Sequence, residues 1–158
     1  MTELSPLITV LTATFFWHGA RVTFMAQFIV ALVRVRTVNF AEIATGFCGK
    51  AKPESNYRRI QRFFKDFSLP RAQVAATVVQ WLPLGQKWLL CLDRTNWKFG
   101  HLNINILVLA VAYNGVAIPL LWVLLDKRGN SNSLERIALV KHFLWVVDAD
   151  RFQCLTAD

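Results

Sequence analysis

The stretch that decides the fold is KWLLCLD, at Lys87–Asp93, which is followed at once by RTNW, at Arg94–Trp97. A short apolar run that is rich in bulky residues predicts a buried β-strand. The run ends on a carboxylate, and a strand end holds a side chain rigidly while leaving it open to solvent, which suits a metal ligand. Asp93 alone does not decide the matter, since an aspartate that caps the turn after a strand is common.

A second stretch of the same kind lies at the end of the chain. The sequence FQCLTA, at Phe152–Ala157, is another short strand-like run, and Asp158 follows it. Two strands that each deliver an acid at the carboxyl end predict a shared metal site, formed by Asp93 and Asp158.

Positive charge is concentrated in the first half of the chain. The formal net charge is +8; residues 1–80 hold 10 basic and 4 acidic residues, whereas residues 81–158 hold 8 and 6. This excess favours a polyanion such as nucleic acid as the partner, although a generally basic soluble protein would have the same balance. The 3 cysteines are an odd number without metal-ligand spacing, which fits a reducing cytosol.

Helical spacing of apolar residues dominates the first half, and strand patterns dominate the second. Gly19 can divide the first helical run into two helices. Asn39 is predicted to cap a short helix over residues 40–47, and Ser55 a longer helix over residues 56–67. The turn at Pro83–Gly85 then predicts a boundary between a helical region, 1–83, and a strand-rich domain, 84–158.

The helix predicted over residues 56–67 has two different faces. Apolar and aromatic residues fall on one side, and four cations fall on the other: Arg58, Arg59, Arg62 and Lys65. Together with the short helix before it, this helix is similar to a helix-turn-helix arrangement, and its basic face would contact phosphates. A charged face that only contacts solvent is the alternative.

The segment Ile104–Leu125 is apolar and long enough to suggest a membrane span. Asn114-Gly115 lies in its middle, and Asn-Gly between two β-rich runs is the strongest short hairpin signal. We therefore predict a hairpin with strands near residues 103–112 and 116–125, in which Pro119 requires an edge, strand-start or bulge position. A small membrane protein is the alternative. A helix over residues 134–147, capped by Ser133, precedes the last strand.

Three strands, a helix and a further strand, with acids ending the first and fourth strands, form the opening half of a ribonuclease H-like fold. Four stretches carry a closer likeness: CLDRTNW at Cys91–Trp97, LWVLLDKRGNSN at Leu121–Asn132, LTAD at Leu155–Asp158, and SNYRRIQRFF at Ser55–Phe64. From about residue 30 onward the chain resembles the DDE transposases of bacterial insertion sequences, of the IS-Four type that includes the Tn-Five-like group.

The resemblance implies an α+β or α/β chain: a helical amino-terminal region followed by an incomplete ribonuclease H-like core (β-β-β-α-β). It implies that Asp93 and Asp158 are catalytic and bind Mg²⁺ or Mn²⁺. In such a site two metals about 4 Å apart are held, with Asp93 between both and Asp158 on one. The third acid, a glutamate, has no counterpart here, so we expect a truncated or split reading frame. Glu135 is the only internal substitute, and we expect it to face solvent.

The expected function is therefore that of an amino-terminal transposase fragment, inactive by itself in strand cleavage and transfer. Lys127 and Arg128, in the loop after the hairpin, are further candidates for phosphate contact. The expected partners are transposon-end DNA and a full-length transposase or a second copy, in the bacterial cytoplasm at the nucleoid. We expect neither a small-molecule substrate nor a membrane. A non-catalytic DNA-binding fragment that occupies transposon ends is the alternative.

Overall fold

The computed structural model describes residues 4–85, 87–127 and 129–157, and its chain divides into two compact units between Leu69 and Pro70. Within these ranges, the first unit consists of helices, and the second combines helices with a four-stranded mixed sheet. This content agrees in general terms with the predicted α+β or α/β class, a helical region followed by a β-β-β-α-β order of elements.

The first unit contains the helices α1 (Ser5–Thr14), α2 (Gly19–Val35), α3 (Phe40–Thr45) and α4 (Pro53–Asp66). The break at Gly19 is present, because α2 begins there and the ring Nδ1 of His18 accepts a hydrogen bond from the N–H of Ala20 at 3.3 Å. The predicted cap at Asn39 is confirmed, since its side chain accepts from the N–H of Ala41 at 3.0 Å.

The predicted start of α4 at Ser55 is wrong. The helix begins at Pro53, with Lys52 in extended conformation before it. Proline suits the first position of a helix because its φ is already helical and the N–H it lacks would have no partner there. The apolar side of α4 packs as predicted, with Ile60 fully buried against Ile43 of α3 and Phe24 of α2.

The second unit contains α5 (Arg71–Trp81), β1 (Trp88–Phe99), β2 (Leu102–Tyr113), β3 (Val116–Leu125), α6 (Ser133–Leu144) and β4 (Phe152–Ala157). The units therefore divide before α5 and not at the predicted turn Pro83–Gly85. Tertiary packing explains the difference, because Ala75 belongs to the core of the sheet and the Arg71 guanidinium donates to the carbonyl of Trp122 at 2.8 Å.

The predicted hairpin between β2 and β3 is confirmed. Asn114 and Gly115 have φ values of 50° and 80°, the left-handed conformation that a two-residue hairpin turn favours. The register shifts next to Pro119, which pairs with Ala110, so the proline lies on an edge strand beside a bulge, as its missing N–H requires. The apolar segment therefore forms two strands.

The sheet has the order β3-β2-β1-β4, in which β1, β2 and β3 are antiparallel and β4 runs parallel to β1. The helices α5 and α6 pack on one face of it, over a core to which both contribute. The largest fully buried side chains of this core are Leu90, Leu107, Leu109, Leu120, Leu121, Val111 and Phe143. Burying each of these side chains away from water stabilises the fold by about 1.5–3 kcal/mol.

The start of α6 differs by one residue from the predicted cap at Ser133. Asn132 is the N-cap, and its side chain accepts from the N–H of Glu135 at 2.9 Å, while the Glu135 carboxylate accepts from the N–H of Asn132 at 2.7 Å. This reciprocal pair is a capping box, which satisfies two N–H groups at the helix start at once.

Candidate metal centre and nucleic-acid surface

The parallel pairing of β1 with β4 decides which residues lie beside Asp93. Leu92 pairs with Ala157, and Cys91 pairs with Thr156, whose hydroxyl donates to the Leu90 carbonyl at 3.3 Å. In the sequence, each member of the Leu92–Ala157 pair is followed by an aspartate. Asp158 lies outside the described residues, so its place beside Asp93 stays a prediction.

Asp93 lies in the middle of β1 and not at its end, which corrects the expected strand boundary. The residues after it continue the antiparallel ladder with β2 as far as the Phe99–Leu102 pair, so the turn expected after Asp93 does not form. The β-branched Thr95 and the aromatic Trp97 favour an extended chain, and pairing with β2 satisfies their backbone groups. Asp93 nevertheless follows the last described pair between β1 and β4.

The Asp93 side chain lies on the face of the sheet opposite α5 and α6. Leu92 beside it is buried in the helix-covered core, and neighbouring residues of a strand point to opposite faces. The Asp93 carboxylate is exposed, and its Oδ1 accepts a hydrogen bond from the N–H of Arg94 at 2.6 Å. This contact fixes one oxygen and leaves the rest of the carboxylate open toward solvent.

An exposed carboxylate on a central strand fits the donor chemistry of Mg²⁺ and Mn²⁺, which prefer oxygen ligands. One carboxylate does not make a site, and within residues 4–85, 87–127 and 129–157 no group of three His, Cys, Asp or Glu side chains is placed to hold a metal ion. The Asp93 carboxylate thus has the chemistry of a metal ligand, and its predicted partner, Asp158, lies outside the described part of the chain.

The four cations predicted to bind DNA on α4 separate into two kinds. Arg58, Arg62 and Lys65 are exposed to solvent. Arg59 is half-buried: its guanidinium donates to Asn56 Oδ1 at 3.2 Å and to Gln27 Oε1 at 3.4 Å.

Aromatic rings hold the Arg59 guanidinium further, since it lies 5.7 Å from the ring centre of Phe24 and 5.8 Å from that of Phe47. Such contacts are worth about 0.5–2 kcal/mol. We therefore assign Arg59 a role in packing the first unit, and keep the other three cations as candidates for phosphate contact.

Of the two loop candidates, Lys127 and Arg128, the structure describes only Lys127. The Lys127 ammonium lies 2.8 Å from Oε2 of Glu135 and forms an ion pair with it. Arg128 lies outside the described residues. The pKa of the Glu135 carboxyl is lowered from its ordinary value of 4.5, first by the hydrogen bond from Lys127 and then by that from the backbone of Asn132. Glu135 thus supports the loop and the helix start, and only part of its side chain faces solvent.

Asn105, to which no role was assigned from its sequence context, is 2% exposed within β2. Its Nδ2 donates to the carbonyl of Lys127 at 3.2 Å and to that of Gly129 at 3.0 Å. Its Oδ1 is buried and has no hydrogen-bond partner among the described residues, a cost that the two loop contacts must offset. The one available signal was a pair of amides, Asn103 and Asn105, in an otherwise largely apolar strand.

Comparison with known protein families, characterised proteins and solved structures found no match for this chain. In the part of the chain that the structure describes, no helix has both the length and the apolar character that a bilayer crossing requires.

The ion pair of Lys127 with Glu135 predicts a stability difference that depends on pH. Glu135→Gln keeps a capping side chain but removes the charge, so the variant is expected to have the lower Tm at neutral pH. Because the folded-state pKa of Glu135 is depressed, the contribution is full above its unfolded value and is lost as pH falls through the folded value. Thermal melts followed by circular dichroism across this range measure the difference.

Two results would count against this reading of Glu135. One is a Tm difference that stays constant as pH falls, and the other is a difference that grows. Lys127→Met is the matched variant, since it removes the opposite charge of the same pair and is expected to reproduce the same pH dependence.

Proposed function

We propose that this chain is an amino-terminal portion of a DNA transposase of the DDE type, with a helical DNA-binding unit and part of a ribonuclease H-like catalytic domain. The chain would then be encoded by a bacterial insertion sequence and act in the cytoplasm. The single observation that carries it is the parallel register of β1 and β4, whose last described pair, Leu92–Ala157, is followed in both strands by an aspartate.

The topology of the second unit supports the ribonuclease H-like assignment. Three antiparallel strands in sequence order are followed by α6 and then by a strand that is parallel to the first and adjacent to it. A parallel strand needs a crossover connection, and the segment from Asp126 to Arg151 with α6 supplies it. This crossover returns the chain to β1, where β4 pairs with the residues that precede Asp93.

The proposed chemistry is the in-line attack of a water or 3′-hydroxyl oxygen on a DNA phosphorus, with the bridging ester oxygen of the cut strand as the leaving group. Divalent metals, when bound, activate the attacking oxygen and stabilise the leaving one. Asp93 would hold a metal from a strand that is positioned by pairing on both sides up to Leu92. By the resemblance, Asp158 is the second ligand. These 158 residues contain no carboxylate that matches the third acid.

The first unit supplies the proposed DNA contact through α4. Its exposed side carries Arg58, Arg62 and Lys65, and no acid lies between Ser55 and Lys65. The loop between α3 and α4 spans residues 46–52, longer than the three or four residues of a typical helix-turn-helix. The proposal therefore needs only phosphate contact by the basic side of α4, not a particular docking geometry.

Metal binding tests the catalytic half of the proposal. Titration calorimetry with Mn²⁺ is expected to show weak binding that Asp93→Asn abolishes, because the variant loses the charged oxygen ligand. Asp126→Asn, which removes another exposed acid of the same unit, is the control and is expected to bind as the parent does. Equal binding by the parent and Asp93→Asn would refute the proposed site.

The same protein is expected to leave insertion-sequence-end DNA uncut in the presence of Mg²⁺ or Mn²⁺, because the third acid is missing. Cleavage or joining that depends on Asp93 would show that two carboxylates suffice and that this part of the proposal is wrong.

DNA binding tests the other half. Fluorescence anisotropy with a labelled duplex, repeated over a salt series, is expected to show affinity that falls steeply with salt. Arg58→Ala combined with Arg62→Ala removes two phosphate contacts and is expected to reduce the magnitude of the log–log salt slope by about two. Lys141→Ala removes an exposed cation of α6 and is the control. Binding that does not respond to salt, or an unchanged slope in the double variant, would contradict the assignment.

A non-catalytic DNA-binding protein is the second candidate function. It is favoured by the same exposed cations, whose contact with phosphates requires no metal site. Salt-dependent DNA binding without Asp93-dependent metal binding would select it over the transposase proposal.

A further inference from the structure

The hairpin of β1 and β2 extends past the rest of the sheet. Among the described residues, β4 pairs with β1 only up to Leu92, and β3 pairs with β2 only from Asn105 onward. The segment Trp97–Ile104 is therefore a two-stranded ribbon whose three pairs are made by β1 and β2 alone. Three further pairs at about 3.4 Å per residue carry it about 10 Å beyond the part of the sheet in which β1, β2 and β3 are paired.

One side of this ribbon is polar, and polar residues continue on the same side into the adjoining part of the sheet. Lys98 and Asn103 pair across the two strands and so lie on the same side, and Asn96 precedes them on that side. All three are exposed. Asn105, which pairs with Asn96 on this side, is buried and donates to the carbonyls of Lys127 and Gly129 in the loop after β3. A row of amides and a cation thus leads from the tip of the ribbon to the loop after β3.

The other side of the ribbon is apolar and accessible. Trp97 is 61% exposed and Leu102 is 67% exposed. Gly100, at φ 59°, occupies the tight turn between the strands, where a residue with a side chain would be strained. The charged residues of this region are all basic, since residues 94–125 contain Arg94 and Lys98 and no acidic residue.

We propose that the ribbon Trp97–Ile104 contacts duplex DNA, with Lys98 on the phosphate backbone and the amides of Asn96 and Asn103 on base edges. A two-stranded ribbon fits a major groove about 12 Å wide. Asparagine amides can pair with adenine there. Because the segment contains no acidic side chain, nothing on it repels the negative phosphates of DNA. This inference rests on the proposed function, since it assumes that the chain binds DNA.

Lysine footprinting on the full chain tests the ribbon directly and without a substitution. The protein is labelled with an amine-reactive reagent with and without a mixed-sequence duplex, and modified lysines are quantified by mass spectrometry. DNA is expected to slow the labelling of Lys98 on the ribbon and of Lys65 on α4, while Lys141 on α6 labels at the same rate in both samples.

The outcomes separate the ribbon from the wider proposal. Protection of Lys65 without protection of Lys98 would overturn the ribbon and leave DNA binding by α4 intact. Protection of Lys98 alone would support the ribbon and overturn the role of α4. Protection of neither lysine would overturn both. If Lys98 became protected without DNA as the protein concentration rose, the partner would be a second copy of the chain, and the DNA assignment would be wrong.

A substitution gives a second readout in the same salt series. Lys98→Ala is expected to reduce the magnitude of the salt slope of DNA binding by about one, as the loss of one phosphate contact predicts. Lys141→Ala provides the matched loss of an exposed lysine. Equal slopes for Lys98→Ala and the parent, with both proteins folded by circular dichroism, would overturn the proposed phosphate contact.

Discussion

The parallel backbone pairing of β4 with β1 is the constraint on which the second unit depends. Antiparallel neighbours can follow one another through short turns, as β1, β2 and β3 do, but a parallel neighbour requires the chain to return over the sheet. The helix α6 makes this return, and its buried Phe143 and Leu139 fix it on the core. Register matters as much as direction, because a shift of one residue would turn every side chain of β4 to the other face.

Around this pairing the second unit uses polar groups to hold its connections. Asn105 binds the loop after β3, Lys127 binds Glu135, and Glu135 with Asn132 closes the start of α6. These contacts join β2 to the crossover helix through one continuous set of hydrogen bonds. These contacts therefore fix the start of α6 relative to the central strands. They also fix the path by which the chain returns to β1.

Sequence reasoning predicted the features that local chemistry decides. The hairpin turn at Asn114-Gly115, the cap at Asn39 and the last strand all follow from signals within a few residues. It placed the end of β1 too early, because pairing with β2 extends a strand beyond its apolar run. It chose Ser55 and Ser133 as caps, whereas Lys52 and Asn132 hold the cap positions. It also grouped Arg59 with the solvent-exposed cations, since helical spacing does not reveal which arginine meets aromatic rings.

Nuclear Overhauser effects between the backbones of β1 and β4 test the pairing itself. A parallel ladder in the present register predicts contacts of Leu92 with Ala157 and of Cys91 with Thr156. That result would place the residues that follow Leu92 and Ala157 at the same end of the sheet, where two carboxylates can share a metal ion. An antiparallel pattern, with Phe152 beside Leu92, would put Asp93 and the chain end at opposite ends of the strand and would contradict the proposed metal centre.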